Sequence, residues 1–317
     1  MGSTGQSRTL RQQTNPLPLE YRDKADHNNQ TPQTANVMKT VTAPRRRFAR
    51  LLATLLFANL LPLNSQAEES YTFAVVPQYE QRKLFAVWKP IVDNILQRTG
   101  IKLNLVATLS VAEFERELSR GTYDFVYANP YHVLREFTRQ GYLPLVRDDA
   151  PLRGIIVVRK DSPLRSPAEL NGQKIAIPSF NALGASLLIQ SDLEHLFKAK
   201  PQLVNVKTHS SVYLQVASGQ IPAGGGVEKT LQEQDPAVRD LLRILHTTRE
   251  MPSHPIAAHP RVPVKARQAV AQALLALAQS DEGKRLLANV PMQRMIPTNM
   301  QDFLPMRQWG LDRYWVD

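Results

Sequence analysis

No cysteine occurs among the 317 residues. That single absence excludes a disulfide framework, a thiolate nucleophile and a lipid-bearing Cys behind a leader. Long apolar runs are missing too. The longest, Leu51 to Leu63, has 13 residues, against ~20 for a helix that spans a bilayer. Catalytic signatures are equally scarce: there is no Gly-x-Ser-x-Gly elbow, no His-Glu-x-x-His helix and no evident paired-carboxylate site. Gly224-Gly225-Gly226-Val227-Glu228-Lys229-Thr230 has the outline of a phosphate loop, but Glu228 stands where a Gly must precede the Lys. Those glycines are expected to let backbone or ligand come close. His254 and His259, each followed by Pro, are five apart, the wrong spacing for a helical metal pair, and no carboxylate cluster joins them. Neither a metal nor a cofactor is expected, and the chain is not expected to be an enzyme.

Acidic residues fall short of basic ones, 28 against 39. Residues 1–67 hold nine Lys/Arg against three Asp/Glu, +6, and residues 68–317 hold 30 against 25, +5. The second excess suits a small anionic ligand as well as no charged partner at all. It lacks the clustered basic and aromatic face that reads nucleic acid. Arg45, Arg46, Arg47 and Arg50 precede the apolar run, and Ser65-Gln66-Ala67 puts small residues at positions −3 and −1 of a cleavage site before Glu68. Residues 38–67 are therefore expected to be a cleaved signal peptide. General secretion is the default route, although Arg45-Arg46-Arg47-Phe48 also fits a twin-arginine signal. Residues 1–37 are polar, rich in Gln, Asn and Thr, and without hydrophobic periodicity. They are expected to be a disordered or non-native extension, or else a long n-region. An exported chain with no lipid-bearing Cys is expected free in a periplasm.

Beyond Glu68 the chain alternates short β-rich runs with amphipathic helices, which predicts an α/β fold of mainly parallel strands. Phe73–Val76 reads as a strand, then Leu84, Trp88, Ile91 and Ile95 recur at helical spacing up to Gly100. Ser110 with Glu113 reads as a capping box, and Phe125–Tyr127 as a strand running into Asn129 as N-cap and Pro130 at the first helical position. The pattern is then repeated: a Ser166/Glu169 capping box, a strand over Lys174–Pro178, a helix from about Ala185 to Lys200, and a helix over Val212–Ser218. Two similar lobes follow, with residues 68–155 as lobe one and 156–248 as lobe two. Residues 249–317 return to lobe one and supply C-terminal helices, Val264 to about Ala288 and a Thr298/Gln301 box to Trp315. Crossings near Gly154–Val158 and Leu242–Pro255 would make a hinge.

In both lobes a strand runs straight into a helix start, at Asn129-Pro130 and at Leu183-Gly184-Ala185-Ser186. Such starts leave N–H groups unpaired and carry partial positive charge, so two facing each other would clamp a small oxoanion. Tyr127 and Tyr131 read either as ligand contacts or as half-buried packing aromatics, and Asn129 as a ligand contact or purely a cap. Ser186 reads as a donor or as a small packing residue. His254 lies near the return crossing and could donate to the oxoanion, and His132 reads best as a solvated or core-edge ring.

Tyr123-Asp124-Phe125-Val126-Tyr127-Ala128-Asn129-Pro130-Tyr131, the pattern from Pro178-Ser179 to Ala185-Ser186, and Pro255-Ile256-Ala257-Ala258-His259-Pro260 together resemble the phosphate/phosphite/phosphonate-type solute-binding proteins of ABC importers. The likeness runs from about Tyr71 to Leu286. It implies a two-lobed periplasmic-binding-protein-like (type II) fold that holds an oxoanion between its lobes. It implies Tyr127, Asn129 and Tyr131 as ligand contacts in lobe one, Ser179 and Ser186 in lobe two, and Tyr79 as a further aromatic. The partners implied are the small oxoanion and an ABC permease in the inner membrane, with monomer as the default state. Pro222 stands where lobe two commonly has an Asp, so a bare or alkyl oxoanion is expected over an aminoalkylphosphonate, with Glu228 and Glu250 as remaining candidates for an amine. Two other readings are a sensor of the same fold reporting to a membrane receptor or kinase, and an exported phosphate-ester hydrolase.

Overall fold

The computed structural model describes residues 70–290, 292 and 294–317. The expected extension (1–37), signal peptide (38–67) and cleavage before Glu68 lie outside the described residues. Among the described residues, no helix is long and apolar enough to cross a membrane.

The first sheet starts from a β-α-β-α-β unit: β1 (Ser70–Val75), α1 (Gln81–Thr99), β2 (Lys102–Ala107), α2 (Val111–Ser119) and β3 (Phe125–Tyr127). Helix α1 buries Leu84, Trp88, Ile91 and Ile95 along one face, each contributing roughly 1.5–3 kcal/mol, and ends where Gly100 takes the left-handed φ of 71°. At the start of α2 the Ser110 hydroxyl accepts the Glu113 amide, and the Glu113 carboxylate returns to Leu109 rather than to Ser110. Then come α3 (Pro130–Gln140) and β4 (Leu143–Asp148).

The second sheet uses β5 (Leu152–Arg159), β6 (Lys174–Ile177), β7 (Gln202–Asn205), β8 (Ala223–Val227) and β9 (Leu242–Met251). Its helices are α4 (Leu188–His195), entered through a π-helical turn over Leu183–Leu187, and α5 (His209–Ala217). The chain returns to the first sheet as β10 (Pro255–Ala258), followed by α6 (Val264–Gln279), α7 (Asp281–Ala288) and β11 (Met295–Pro297). Strand orders are β11-β4-β10-β3-β1-β2 and β7-β6-β8-β5-β9. Strand β1 is parallel to β2 and β3, as β6 is to β7 and β8. One antiparallel strand then joins each trio, β10 beside β3 and β5 beside β8. The sheets are therefore mixed, with the parallel trio as the repeated part. The crossings fall between Asp148 and Leu152 and between Met251 and Pro255, so all of β5 belongs to the second lobe.

Three predicted helices are shorter than their patterns. The stretch from Ala185 to Lys200 is a π turn plus α4, ended before Lys198 turns left-handed at φ 53°. The stretch from Val264 to Ala288 breaks at Ser280, whose hydroxyl accepts the Gly283 amide and starts α7. The stretch from Thr298 to Trp315 is three 3-10 segments, Met300–Asp302, Leu304–Trp309 and Leu311–Tyr314. There Asn299 rather than Thr298 caps, Pro305 offers no N–H, and Gly310 sits at φ 67°.

The glycines of β8 are explained by contact. A Cβ on Gly225 would overlap the Ala185 carbonyl, and one on Gly226 the Tyr213 hydroxyl. In β5, one on Gly154 would overlap the Gly184 carbonyl. The π turn thus lies directly on the second sheet, backbone against backbone.

Candidate functional site

Residues that follow the parallel strands of both sheets converge on a cavity of about 50 Å³ between the lobes. Gln78 comes after β1, Asn129 after β3, Ser179 after β6, and Lys207 and Thr208 after β7, while Val227 ends β8. Ligands of open α/β sheets bind at such carboxyl ends. The cavity adjoins a wider cleft of about 940 Å³, and the two share Pro77, Val111, His132, Pro178, Ser179, Lys207 and Thr208.

Three helix starts reach the cavity. Asn129 caps α3 by accepting the His132 amide at 2.9 Å. The π turn enters through Ala182, and Leu183, Gly184 and Ala185 line the cavity. Thr208 caps α5 by accepting the Ser211 amide at 3.1 Å. Lys207, just before it, holds a left-handed φ of 74°, and its amide donates to Asn205 Oδ1. A bulky residue in that region is strained, a cost tolerated chiefly at functional positions. Each first turn leaves N–H groups without an intrahelical partner and adds positive potential.

Three imidazoles, His132, His209 and His254, also line the cavity. Burial, with the other two rings nearby, lowers the His254 pKa to about 3, and burial alone lowers His209 to about 4. Both rings are therefore neutral at pH 7. His209 Nδ1 lies 3.4 Å from Thr230 Oγ1, whose hydrogen goes to the Val227 carbonyl. The Thr230 oxygen therefore accepts, and Nε2 is the atom left on the neutral ring. His254 Nε2 lies 3.2 Å from the Gln78 amide nitrogen, and its ring stacks on Tyr127 at 5.4 Å. No carboxylate stands among the lining residues.

Of the residues singled out from sequence, Asn129, Ser179 and His254 line this cavity together. Tyr127 is fully buried behind it, between Trp88 at 4.8 Å and His254, and burial holds its hydroxyl pKa well above the ordinary value. Tyr79 lines the wider cleft, where its hydroxyl donates to Glu233 of lobe two at 2.7 Å. Ser186 is buried one turn on and accepts from Gln190 at 3.2 Å, outside the lining set. Tyr131 turns to the C-terminal segment and packs 6.0 Å from Trp315, also outside it. Glu228 and Glu250 both pair with Arg153. Asp124 has structural work, accepting from Thr72 and Arg261.

Polar bonds cross the cleft beside the cavity. Asn129 donates to the Asn181 carbonyl at 3.3 Å, and Asn181 donates to Glu115 at 2.9 Å. The C-terminal segment forms a strap. Its Trp315 ring lies under Arg135 of lobe one, while Asn181 of lobe two pairs with both backbone groups of Val316, and Glu194 holds Arg313 and Tyr314.

Residues 73–303 match the family described as "ABC transporter, phosphonate, periplasmic substrate-binding protein". The chain belongs to that family. No curated protein matches it in sequence. Among solved structures it resembles PhnD1 from Prochlorococcus marinus in complex with methylphosphonate, with 12% identity, TM-score 0.71, and 78% of this chain and 100% of that one covered. It also resembles a binding protein component of an ABC phosphonate transporter from Pseudomonas aeruginosa, with 15% identity, TM-score 0.68, and 78% and 88% covered. A Xanthomonas citri protein bound to chloride ion is similar at 17% identity and TM-score 0.66, with 77% and 98% covered. The two-lobed fold is common to all three.

For this phosphonate-family binding protein, sequence reasoning missed Gln78, Lys207, Thr208 and His209, and set His132 aside. A signal for part of the group was available: Thr208 with its helix follows β7 as Ser110 with its helix follows β2, so the repeat itself pointed to a third helix start.

Proposed function

We propose that the protein captures a small bare or alkyl-substituted oxoanion of phosphonate, phosphite or phosphate type between its lobes and hands it to an inner-membrane ABC permease. It acts in the periplasm once its leader is removed, without catalysis and without a cofactor. The observation that carries this reading is the convergence of three helix starts and three imidazoles on one cavity lined by no carboxylate. Backbone N–H groups and neutral side-chain donors hold an anion while leaving release possible. Asn129 and Ser179 contact the oxygens from opposite lobes, and His254, whose Nε2 accepts from the Gln78 amide, has its Nδ1–H to donate. Neutral His209 keeps its hydrogen on Nδ1 toward Thr230 and adds no donor. Tyr127 supports His254. The missing carboxylate leaves a ligand amine without a counter-charge, which favours an alkyl or bare oxoanion. The resemblance to a methylphosphonate complex supports this class.

Titration calorimetry of the purified protein tests it. Methylphosphonate, phosphite and phosphate are expected to bind, and 2-aminoethylphosphonate at least tenfold more weakly than methylphosphonate. Absence of heat with all four would remove the reading.

A further inference from the structure

His132 is a buried ring with one nitrogen engaged and one not. Its side chain is 1% exposed, and Nε2 lies 2.8 Å from Glu115 Oε1. A carboxylate only accepts, so Nε2 carries the hydrogen. Nδ1 is buried and has no partner, which for a polar atom is costly unless a ligand completes it. The ring lines the cavity, so Nδ1 is the atom it has to offer there. The Glu115 carboxylate is itself held in place, because its second oxygen accepts from Asn181 across the cleft.

We propose that His132, oriented by Glu115, selects an oxoanion that can carry a proton, by sharing one proton between Nδ1 and a ligand oxygen. This rests on the oxoanion reading above and adds to it a rule for discrimination. When the ring is neutral, Nδ1 is a bare lone pair and accepts from a protonated ligand oxygen. When the ring is protonated, Nδ1–H donates to a deprotonated oxygen. Either way the complex holds the same single proton on the Nδ1···O axis. A phosphonate monoanion brings that proton with it. A sulfonate of the same shape has none to bring, so it meets the bare lone pair unless the ring takes a proton from solvent.

Other charged groups surround this pair without replacing it. On its own helix α3 are Arg135, Glu136 and Arg139. Asp317 of the strap lies 3.6 Å from Arg135, Lys207 lines the same cavity from lobe two, and His209 and His254 complete the lining. Burial raises the Glu136 pKa, against the pull of Arg139, His132 and Arg135.

Methylphosphonate and methanesulfonate, isosteric apart from the titratable oxygen, test the proposal by calorimetry between pH 5.5 and 8.5. In the wild-type protein the sulfonate-to-phosphonate Kd ratio is expected to rise with pH, approaching tenfold per unit below the titration of the phosphonate. Glu115→Gln keeps the ring but reverses its tautomer. Its amide N–H can donate to Nε2 while its carbonyl still accepts from Asn181, so Nδ1–H becomes a permanent donor. The ratio should then flatten with pH and fall at least tenfold at pH 8. His132→Phe keeps the volume and should flatten the ratio as well. A wild-type ratio that does not change with pH, or one unaffected by both substitutions, overturns the proposal while leaving oxoanion capture intact. Failure of both anions to bind the wild-type protein overturns both.

Discussion

The two lobes repeat one strand-helix unit, yet they meet the cavity with different materials. Lobe one presents side chains: Phe73, Trp88, Tyr127 and His254 form a column of rings from the core to the cavity, and His132 and Asn129 stand beside it. Lobe two adds backbone to the side chains of Ser179, Thr208 and His209, with Gly184 and Ala185 held on a sheet whose glycines leave no room for anything else. The difference teaches that a duplicated scaffold fixes where two surfaces face each other but not how each binds. Rings supply shape and titratable nitrogens, and the π turn supplies fixed N–H dipoles.

The sharpest way to break this comparison is to give one of those glycines a side chain. Gly225→Ala should destabilise the protein by at least ~3 kcal/mol in urea denaturation, because the new Cβ meets the fixed Ala185 carbonyl. Tyr127→Phe in lobe one keeps its ring and should cost under ~1 kcal/mol of stability.

Acid comes next in size, and its sign follows from the buried histidines. His209 titrates near 4 when folded against 6.5 for a free ring, so the unfolded chain takes up its proton first. The associated stability is fully present above pH 6.5 and is lost as pH falls toward 4. The loss reaches roughly 3 kcal/mol at pH 4. Denaturation midpoints at pH 8, 6, 5 and 4 should show this slope, His209→Gln should reduce it, and His254 acts in the same direction.

The smallest effect separates two serines of one loop. Ser179→Ala should weaken methylphosphonate binding three- to tenfold in calorimetry. Ser186→Ala, which loses a bond to Gln190, should change it less than twofold.

The two-lobed α/β plan was legible because its signals are local: apolar period, capping residues, and the same order of elements twice. The Asn129 cap and the Ser166/Glu169 box fold as their spacing implies. The glycine run of β8 was also readable as a close backbone approach. What could not be read was side-chain direction. Tyr131 and Ser186 sit on the expected helix starts, but helical geometry rotates their side chains away from the lining. His209 was hidden for the opposite reason. Its element was recognised three residues late, at Val212, so the Thr208 cap and the first turn behind it were lost.

The strap over the cleft has a mechanical consequence. None of its bonds involves a guest, so Val316 on Asn181 and Arg313 with Tyr314 on Glu194 draw the jaws together whether or not cargo is aboard. At about 1 kcal/mol per bond, even two of them tilt the open–shut balance by more than tenfold. Opening the cleft therefore requires that Val316 leave Asn181 and that Arg313 and Tyr314 leave Glu194.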